Sequence, residues 1–565
     1  KMKKIIKQLF LWYLIFVIVK SVLSYFILAP TEFNDGYIYA KIARSFFHTL
    51  EFSVSGNPIH RYPPIYPIVL SVSYIFNDMT IVYFAMKIIN SIVSSLIIFP
   101  AWLLSREFFT EKKALIAAIL VSVIPSSFAY SFFIMSENLA YPLFLFAFYF
   151  SYKSFTEKTY KWNILAGVFI GLSYLTKGLI VMLLPAIIFT FLVLSFKNGF
   201  DLSETKRKIV MVFSSSIIIF PWLFRNISIF GNSIFGLFGS YSTQTPQNLY
   251  ITQFQSFISW PVIYLGFLMM STAFIFFPMS FYIIKKKENL TFSLLYFTSI
   301  ISLLIILASH NLGGIMYETF FPWLTGRPQG RLLDIILPLV FISGMLGFDI
   351  YKKQKSKLFN YILIASLFIL IFSTQLIFFP LFPINNVSLA WMGAIKYIFD
   401  LLSFSSMLSF ILFSVLFLMI ILFFYISHIK NKLKFNKLLP YFIIFFVLVS
   451  MLNFTIIFFN SKIYWHDGEQ MQLGLWFNSY DNEKSVVLFD KQACTGKILK
   501  TDQSTLCEIH SSATIMGFWM NDDIIISDIP NNLDKIDYII TRNILNLQLI
   551  KESESGIKIY KTKAV

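Results

Sequence analysis

The residues in this chain whose types could do chemistry stand at the edges of long apolar runs. The first is Asp35, within Thr31-Glu32-Phe33-Asn34-Asp35-Gly36-Tyr37-Ile38-Tyr39-Ala40. A carboxylate so placed can take a proton from a hydroxyl as a general base, and it can equally cap the helix that follows it. Downstream, Tyr39, Ile42, Ala43, Phe46 and Phe47 recur at spacings that share one helical face, suited to lying on a bilayer surface. A second segment, His60-Arg61-Tyr62-Pro63-Pro64-Ile65-Tyr66-Pro67, sets rigid prolines among residues that favour the membrane–water interface. A second acid, Glu137, opens the apolar run Ser136-Glu137-Asn138-Leu139-Ala140-Tyr141-Pro142. A charge at the edge of hydrocarbon is a functional candidate, although an acid at a helix N-terminus is favourable in its own right.

Cations complete the set. Lys177 lies in Leu175-Thr176-Lys177-Gly178, and Arg225 follows Pro221-Trp222-Leu223-Phe224. Arg327 and Arg331 belong to Thr325-Gly326-Arg327-Pro328-Gln329-Gly330-Arg331. Such side chains can anchor among lipid headgroups, or they can hold phosphate, which the planar fork of Arg grips in bidentate fashion. Acids and cations on one face of a membrane suit a phosphate-linked substrate. Two carboxylates and His60 carry no metal-ligand spacing, and a lone His beside an Arg reads as a hydrogen-bonding residue, so no metal or other cofactor is expected.

The elements that must position these residues are membrane helices. The 565 residues are 57% hydrophobic and 13% charged, and mean hydropathy is +0.71. A soluble chain carries about 25% charged residues. Apolar runs of ~20 residues, each long enough to cross once, fall at about 8–29, 80–104, 113–130, 138–153, 161–176, 178–196, 209–224, 260–284, 290–309, 332–350, 358–380, 400–427 and 438–459. The first run is long and no small-residue cleavage site follows it, so a cleaved signal peptide is not expected.

With the N-terminus in the cytoplasm, every short basic cluster falls on the inner side, from Lys3, Lys4 and Lys7 through Lys285, Lys286 and Lys287 to Lys430, Lys432 and Lys434. The net charge of +17 therefore reports topology and anionic lipid rather than nucleic acid. The longer loops, at about 30–80, 225–259, 310–331 and 382–400, lie on the outer side with all the candidate site residues. No Gly-rich nucleotide motif with Gly-Lys-Ser/Thr occurs.

An odd number of crossings leaves the residues after 459 outside. There Val486–Asp490, Ile524–Ile529, Ile536–Thr541 and Gly556–Tyr560 read as strands, and Gln470–Ser479 as a helix. The expected architecture is a polytopic α-helical membrane domain, 1–459, of about 13 crossings, followed by a small extracytoplasmic α/β domain, 460–565. Its Cys494 and Cys507 suit a disulfide in an oxidising compartment, or two unpaired small side chains.

These motifs resemble those of membrane-embedded glycosyltransferases of the GT-C superfamily, in particular the protein O-mannosyltransferase and aminoarabinose-transferase branch. Asp35-Gly36-Tyr37-Ile38-Tyr39 resembles the Asp-Glu-x-x-Tyr motif of the first outer loop, and Tyr62-Pro63-Pro64-Ile65-Tyr66-Pro67 resembles the Pro-Pro-Leu-Tyr-Pro segment after it. Ser136-Glu137-Asn138, Leu175-Thr176-Lys177-Gly178 and Pro221-Trp222…Arg225-Asn226…Phe230-Gly231 follow in the same order. The resemblance implies a sugar carried on polyprenyl phosphate and transferred, with inversion, to a lipid, protein or envelope-glycan acceptor at the outer face of the cell membrane. It implies Asp35 as general base with Glu137 beside it, and Lys177, Arg225, Arg327 and Arg331 on the donor phosphate. Glu32, Tyr39, His60, Arg61, Tyr62 and Tyr66 would line the substrate pocket. Gly36 departs from the family pattern, which has Glu there; unless Glu32 replaces its role, the acceptor site or a hydrogen-bonding partner differs. The rival reading is a flippase or transporter of lipid-linked glycans. That reading calls for charges within helices and an internal repeat, and no repeat is visible.

Overall fold

A computed structural model of the chain describes residues 2–30, 33–60, 62–231, 251–312, 319–353, 357–379, 386–430, 435–462, 469–481, 485–490, 499–501, 504–506, 515–554 and 556–562. Among the described residues ten helices, of 19 to 29 residues, are long and apolar enough to cross a bilayer, and a bent pair supplies an eleventh crossing if counted as one. At 1.5 Å per residue such helices match a hydrocarbon core of about 30 Å. The chain is a multi-pass membrane protein.

The first helices are α1 (Met2–Tyr25), α2 (Phe33–Thr49), α3 (Ile65–Ser71), α4 (Met79–Ser95), α5 (Ile98–Ser105), α6 (Glu111–Val123) and α7 (Pro125–Phe128). Then come α8 (Glu137–Thr156), α9 (Tyr160–Tyr174), α10 (Leu183–Asn198) and α11 (Leu202–Phe230). Each of the thirteen expected crossings coincides with helix, but two fall short of a full apolar span. Helix α9 has only 15 residues, and α8 dilutes its apolar run with Tyr141, Tyr149, Ser151 and Tyr152. The bent pair is α6 and the segment Pro125–Phe132, at 71°. Pro125 has no N–H to continue α6 and excludes the helical conformation at Ile124, whose ψ is 147°. The Val123 carbonyl at the break accepts a 2.9 Å hydrogen bond from Ser450 Oγ.

The chain divides into two compact units. One comprises Lys1–Ile18, Ser91–Tyr130 and Ser136–Phe454. At its centre runs Gly330–Lys352, whose apolar window is 94% buried, whereas that of α11 is only 22% buried. Helix α11 turns Phe213, Phe220 and Phe224 outward, as a lipid-facing surface requires. Its other side meets α9 at Gly167 and Gly171. A Cβ added at Gly167 would stand 2.2 Å from the Met211 carbonyl oxygen, and one at Gly171 2.7 Å from Ile218 Cβ. Small residues four apart let the two backbones touch. Lys113 pairs with Asp349 at 2.6 Å and Lys153 with Glu107 at 3.2 Å, so helix ends assigned to one side by the charge pattern meet in ion pairs.

The other unit comprises Val19–Asn90, Ser131–Met135 and Thr455–Val565. The amphipathic segment expected after Asp35 is α2. A hairpin follows, β1 (Ser53–Val54) and β2 (Asn57–Pro58). The C-terminal region holds a five-stranded sheet: β3 (Val486–Asp490) lies parallel between β6 (Asp523–Ser527) and β7 (Tyr538–Thr541). Strand β9 (Lys558–Lys561) runs antiparallel between β7 and β8 (Gln548–Glu552). A separate hairpin pairs β4 (Leu499–Thr501) with β5 (Ser504–Leu506). Leu473 and Phe477 from the helix Glu469–Tyr480 pack on Val487, Phe489, Tyr538, Ile540 and Ile559 of the sheet. The four strands expected from sequence are β3, β6, β7 and β9. Strand β8 is an edge strand whose Gln-Leu-Ile-Lys-Glu carries no alternating pattern to mark it in the sequence. Cys494 and Cys507 lie outside the described residues.

Candidate active site

Asp35 sits in the first turn of α2, where the unpaired backbone N–H groups favour a carboxylate. It is half-exposed rather than sealed. Tyr62 Oη donates to Asp35 Oδ1 at 2.9 Å. The rings of Tyr62 and Tyr66 both meet the ring of Tyr39 edge-on, at centroid distances of 5.2 and 4.9 Å. Tyr66 is fully buried, and its Oη donates to Asn90 Oδ1 at 3.0 Å while Asn90 Nδ2 donates to the Phe133 carbonyl at 2.8 Å. Tyr74 Oη donates to the Ala40 carbonyl at 2.9 Å, and burial holds that phenol well above its usual range, so it stays a donor. The segment Tyr62–Tyr74 is thus tied to α2 by two phenol hydrogen bonds, Tyr74 to the Ala40 carbonyl and Tyr62 to the Asp35 carboxylate.

Of the expected pocket residues, Tyr62 therefore bonds Asp35, and Tyr39 and Tyr66 are joined to Tyr62 through ring contacts. His60 is half-buried on the same stretch of chain, while Glu32 and Arg61 lie outside the described residues. A Cβ at Gly36 would meet Ile134 at an ordinary 3.6 Å, so space alone does not demand glycine there.

The second cluster belongs to the helical unit. Glu137 begins α8 and is fully buried, and its Oε1 accepts from Lys177 Nζ at 2.5 Å. Lys177 stands at the break between α9 and the 3-10 turn Gly178–Met182, where the chain is extended. Close by in the fold is an acid not singled out from sequence. Asp334, fully buried near the start of Gly330–Lys352, accepts from Tyr130 Oη at 3.1 Å and from Ser388 Oγ at 2.7 Å. Tyr141 packs edge-on against Tyr130 and donates to the Arg331 carbonyl at 2.7 Å. The 71° bend described above is what carries Tyr130 off the axis of α6. The signal for Asp334 was a carboxylate inside a spanning run, which by itself marks a functional candidate.

The arginines divide. Arg331 is half-buried beside this network and Arg327 is exposed. Arg225 lies over the Trp222 ring at 4.7 Å and donates to Asn226 Oδ1 at 3.0 Å. Among the described residues no group of three or more His, Cys, Asp or Glu converges as a metal site.

Residues 62–224 match the dolichyl-phosphate-mannose-protein mannosyltransferase family. The whole fold is similar to that of ArnT from Cupriavidus metallidurans bound to undecaprenyl phosphate, with a TM-score of 0.58 at 12% identity over 98% of both chains. For the same ArnT in the apo state the TM-score is 0.53 at 11% identity over 97% of both chains. A stretch of 168 residues is 30% identical to NADH-quinone oxidoreductase subunit N of Buchnera aphidicola subsp. Acyrthosiphon pisum (strain APS), covering 28% of this chain and 33% of that protein. The chain thus spans about a third of the length of that relative, and nothing of its activity is carried across. The fold is thus that of ArnT, and residues 62–224 carry the match to the mannosyltransferase family. The mannosyltransferase match falls on the segment that runs from Tyr62 through Glu137 and Lys177 to Phe224, so the expected resemblance holds.

Proposed function

We propose that the protein transfers a sugar from a polyprenyl-phosphate donor to an acceptor hydroxyl at the outer face of the cell membrane, inverting the anomeric centre. The observation that carries this reading is Asp35: a half-exposed carboxylate in the first turn of α2, oriented by the Tyr62 hydroxyl. ArnT, similar in fold, is known with undecaprenyl phosphate bound, and the matching family is one of dolichyl-phosphate-mannose enzymes. Both support a lipid-phosphate donor here.

In this reading Asp35 removes the acceptor proton as the acceptor oxygen attacks C1 of the sugar. The C1–O bond to phosphate breaks, and the electron pair leaves with the polyprenyl phosphate. Phosphate is a good leaving group, so no strong general acid is required. Lys177, Arg225, Arg327 and Arg331 are assigned to its charge, with Glu137 holding Lys177 in place. Transfer needs no metal in this mechanism. The N-terminus is cytoplasmic and residues 460–565 extracytoplasmic, as the basic clusters indicate.

The test incubates purified protein with polyprenyl-phosphate sugars and envelope extract, comparing wild type with Asp35→Asn. Sugar transfer by wild type and its loss in a folded Asp35→Asn variant supports the assignment. Equal transfer by the variant removes Asp35 from the reaction. Movement of intact lipid-linked glycan with no bond cleaved favours the flippase reading.

A further inference from the structure

Helix α2 has two working faces. Successive residues turn by about 100°, so Tyr39 shares the side of Asp35, whereas Lys41, Arg44 and His48 lie roughly 120° to 180° away. That second face lines an open cavity of about 380 Å³, whose other walls include Glu51, Ser55 and Asp523. The size falls within the range of small-molecule sites, roughly 300–1,000 Å³.

The walls are built rather than incidental. Lys41 Nζ donates to the carbonyls of Met520 at 2.8 Å and Asp522 at 3.0 Å, tying α2 to the segment that enters β6. The β1–β2 hairpin turns on Ser55 and Gly56, at φ of 49° and 73°, a two-residue turn that requires left-handed backbone at both positions. Ser55 holds this conformation because its Oγ accepts the Ile524 N–H at 3.0 Å. Both walls are therefore anchored at the leading end of β6.

Arg44 is the group the cavity leaves unanswered. Among the described residues its guanidinium makes no hydrogen bond or ion pair. Burial pulls it below its usual range, and Tyr74, Asp522 and Asp523 offset this only through space. A guanidinium offers five donors in a fixed fork suited to phosphate or carboxylate. The carboxylates and hydroxyls around it suit a ligand rich in OH groups.

We propose that this cavity binds an anionic saccharide unit, with Arg44 on its phosphate or carboxylate and Asp523 accepting from its hydroxyls. Identifying the ligand as part of the acceptor glycan rests on the transferase reading; the binding itself does not. The experiment is calorimetric titration of the full chain in lipid nanodiscs with glucose 6-phosphate, glucuronate, glucose and inorganic phosphate. At least one anionic sugar is expected to bind about tenfold or more tightly than glucose and than inorganic phosphate, and to lose roughly tenfold or more in Arg44→Ala. The two anionic sugars separate a phosphate from a carboxylate preference. Glu51→Gln, at the exposed rim, should tighten binding by roughly two- to fivefold as a repelling charge is removed, which tests the site without touching a buried residue. Equal affinity for glucose, equal affinity for inorganic phosphate, unchanged binding in a folded Arg44→Ala, or weaker binding in Glu51→Gln would each overturn the proposal. Asp35→Asn should lose transfer and keep this binding, so failure of the cavity and failure of the catalytic assignment are read separately.

Discussion

Tyr62 donates its phenol to Asp35 Oδ1 at 2.9 Å, 27 positions along a chain that passes through α2 and the β1–β2 hairpin between them. The bond fixes the plane of the carboxylate relative to the helix that carries it.

If Asp35 is the base, its loss and the loss of its orientation have different sizes. Asp35→Asn should lower kcat by about 10²- to 10⁴-fold, the usual worth of a positioned base. Tyr62→Phe keeps the packing against Tyr39 and removes only the donor, so a smaller fall of about tenfold is expected, with KM little changed. Steady-state sugar transfer at saturating donor checks both. A Tyr62→Phe enzyme as impaired as Asp35→Asn would mean that the phenol itself acts in the reaction.

Glu137 and Lys177 test the second cluster through stability. The pair is buried, with side-chain exposures of 0% and 9%. Removing one partner strands a charge at a cost of roughly 3–5 kcal/mol, whereas replacing both by apolar groups costs far less. Glu137→Leu and Lys177→Met should each lower the melting temperature markedly, and the double variant should recover much of the loss. Additive losses in thermal unfolding of the detergent-solubilised protein would show that the two side chains are not coupled.

Asp334 receives two hydroxyls, from Tyr130 and Ser388. Asp334→Ala leaves both donors buried without an acceptor, at roughly 1–3 kcal/mol each. Asp334→Asn retains one acceptor oxygen and should be the milder change. The order of the two melting temperatures is the readout, and an alanine variant as stable as wild type would mean that water or a rearranged neighbour satisfies both hydroxyls.

Asp522 supplies a pH dependence. Burial raises its carboxyl to about 6, with Lys41 and the Ser485 N–H opposing the rise. The folded form therefore binds this proton more tightly than the unfolded chain, whose value is 3.8. The stabilisation is fully present below that lower value and is lost as pH rises through about 6. Asp522→Asn keeps an acceptor for the Ser485 N–H and should flatten the fall in melting temperature between about pH 4 and 7. Scans of both proteins across that window check it; parallel curves would assign the dependence to other groups.

Much of this architecture was legible because its causes are local. A run of twenty apolar residues forms a membrane helix whatever its neighbours, and basic loops carry their topology in composition alone. The expected crossings all contain helix, and the count fell from thirteen only where α9 is short and α8 is rich in Tyr and Ser. Asp35, Tyr62, Glu137 and Lys177 were visible for the same reason, as charges and phenols standing at the ends of apolar runs. Which of them meet was not visible. The Tyr62–Asp35 bond, the Glu137–Lys177 pair and the Tyr130–Asp334–Ser388 network join residues 27 to 204 positions apart, and sequence carries no distance across such intervals. The cavity beside Arg44 depends further on a hairpin pinned 469 residues away in the chain, at Ile524. Periodicity and composition determined that this chain is a set of membrane helices with charged ends. Only packing, in which a buried donor must find an acceptor, decided which of those ends became a site.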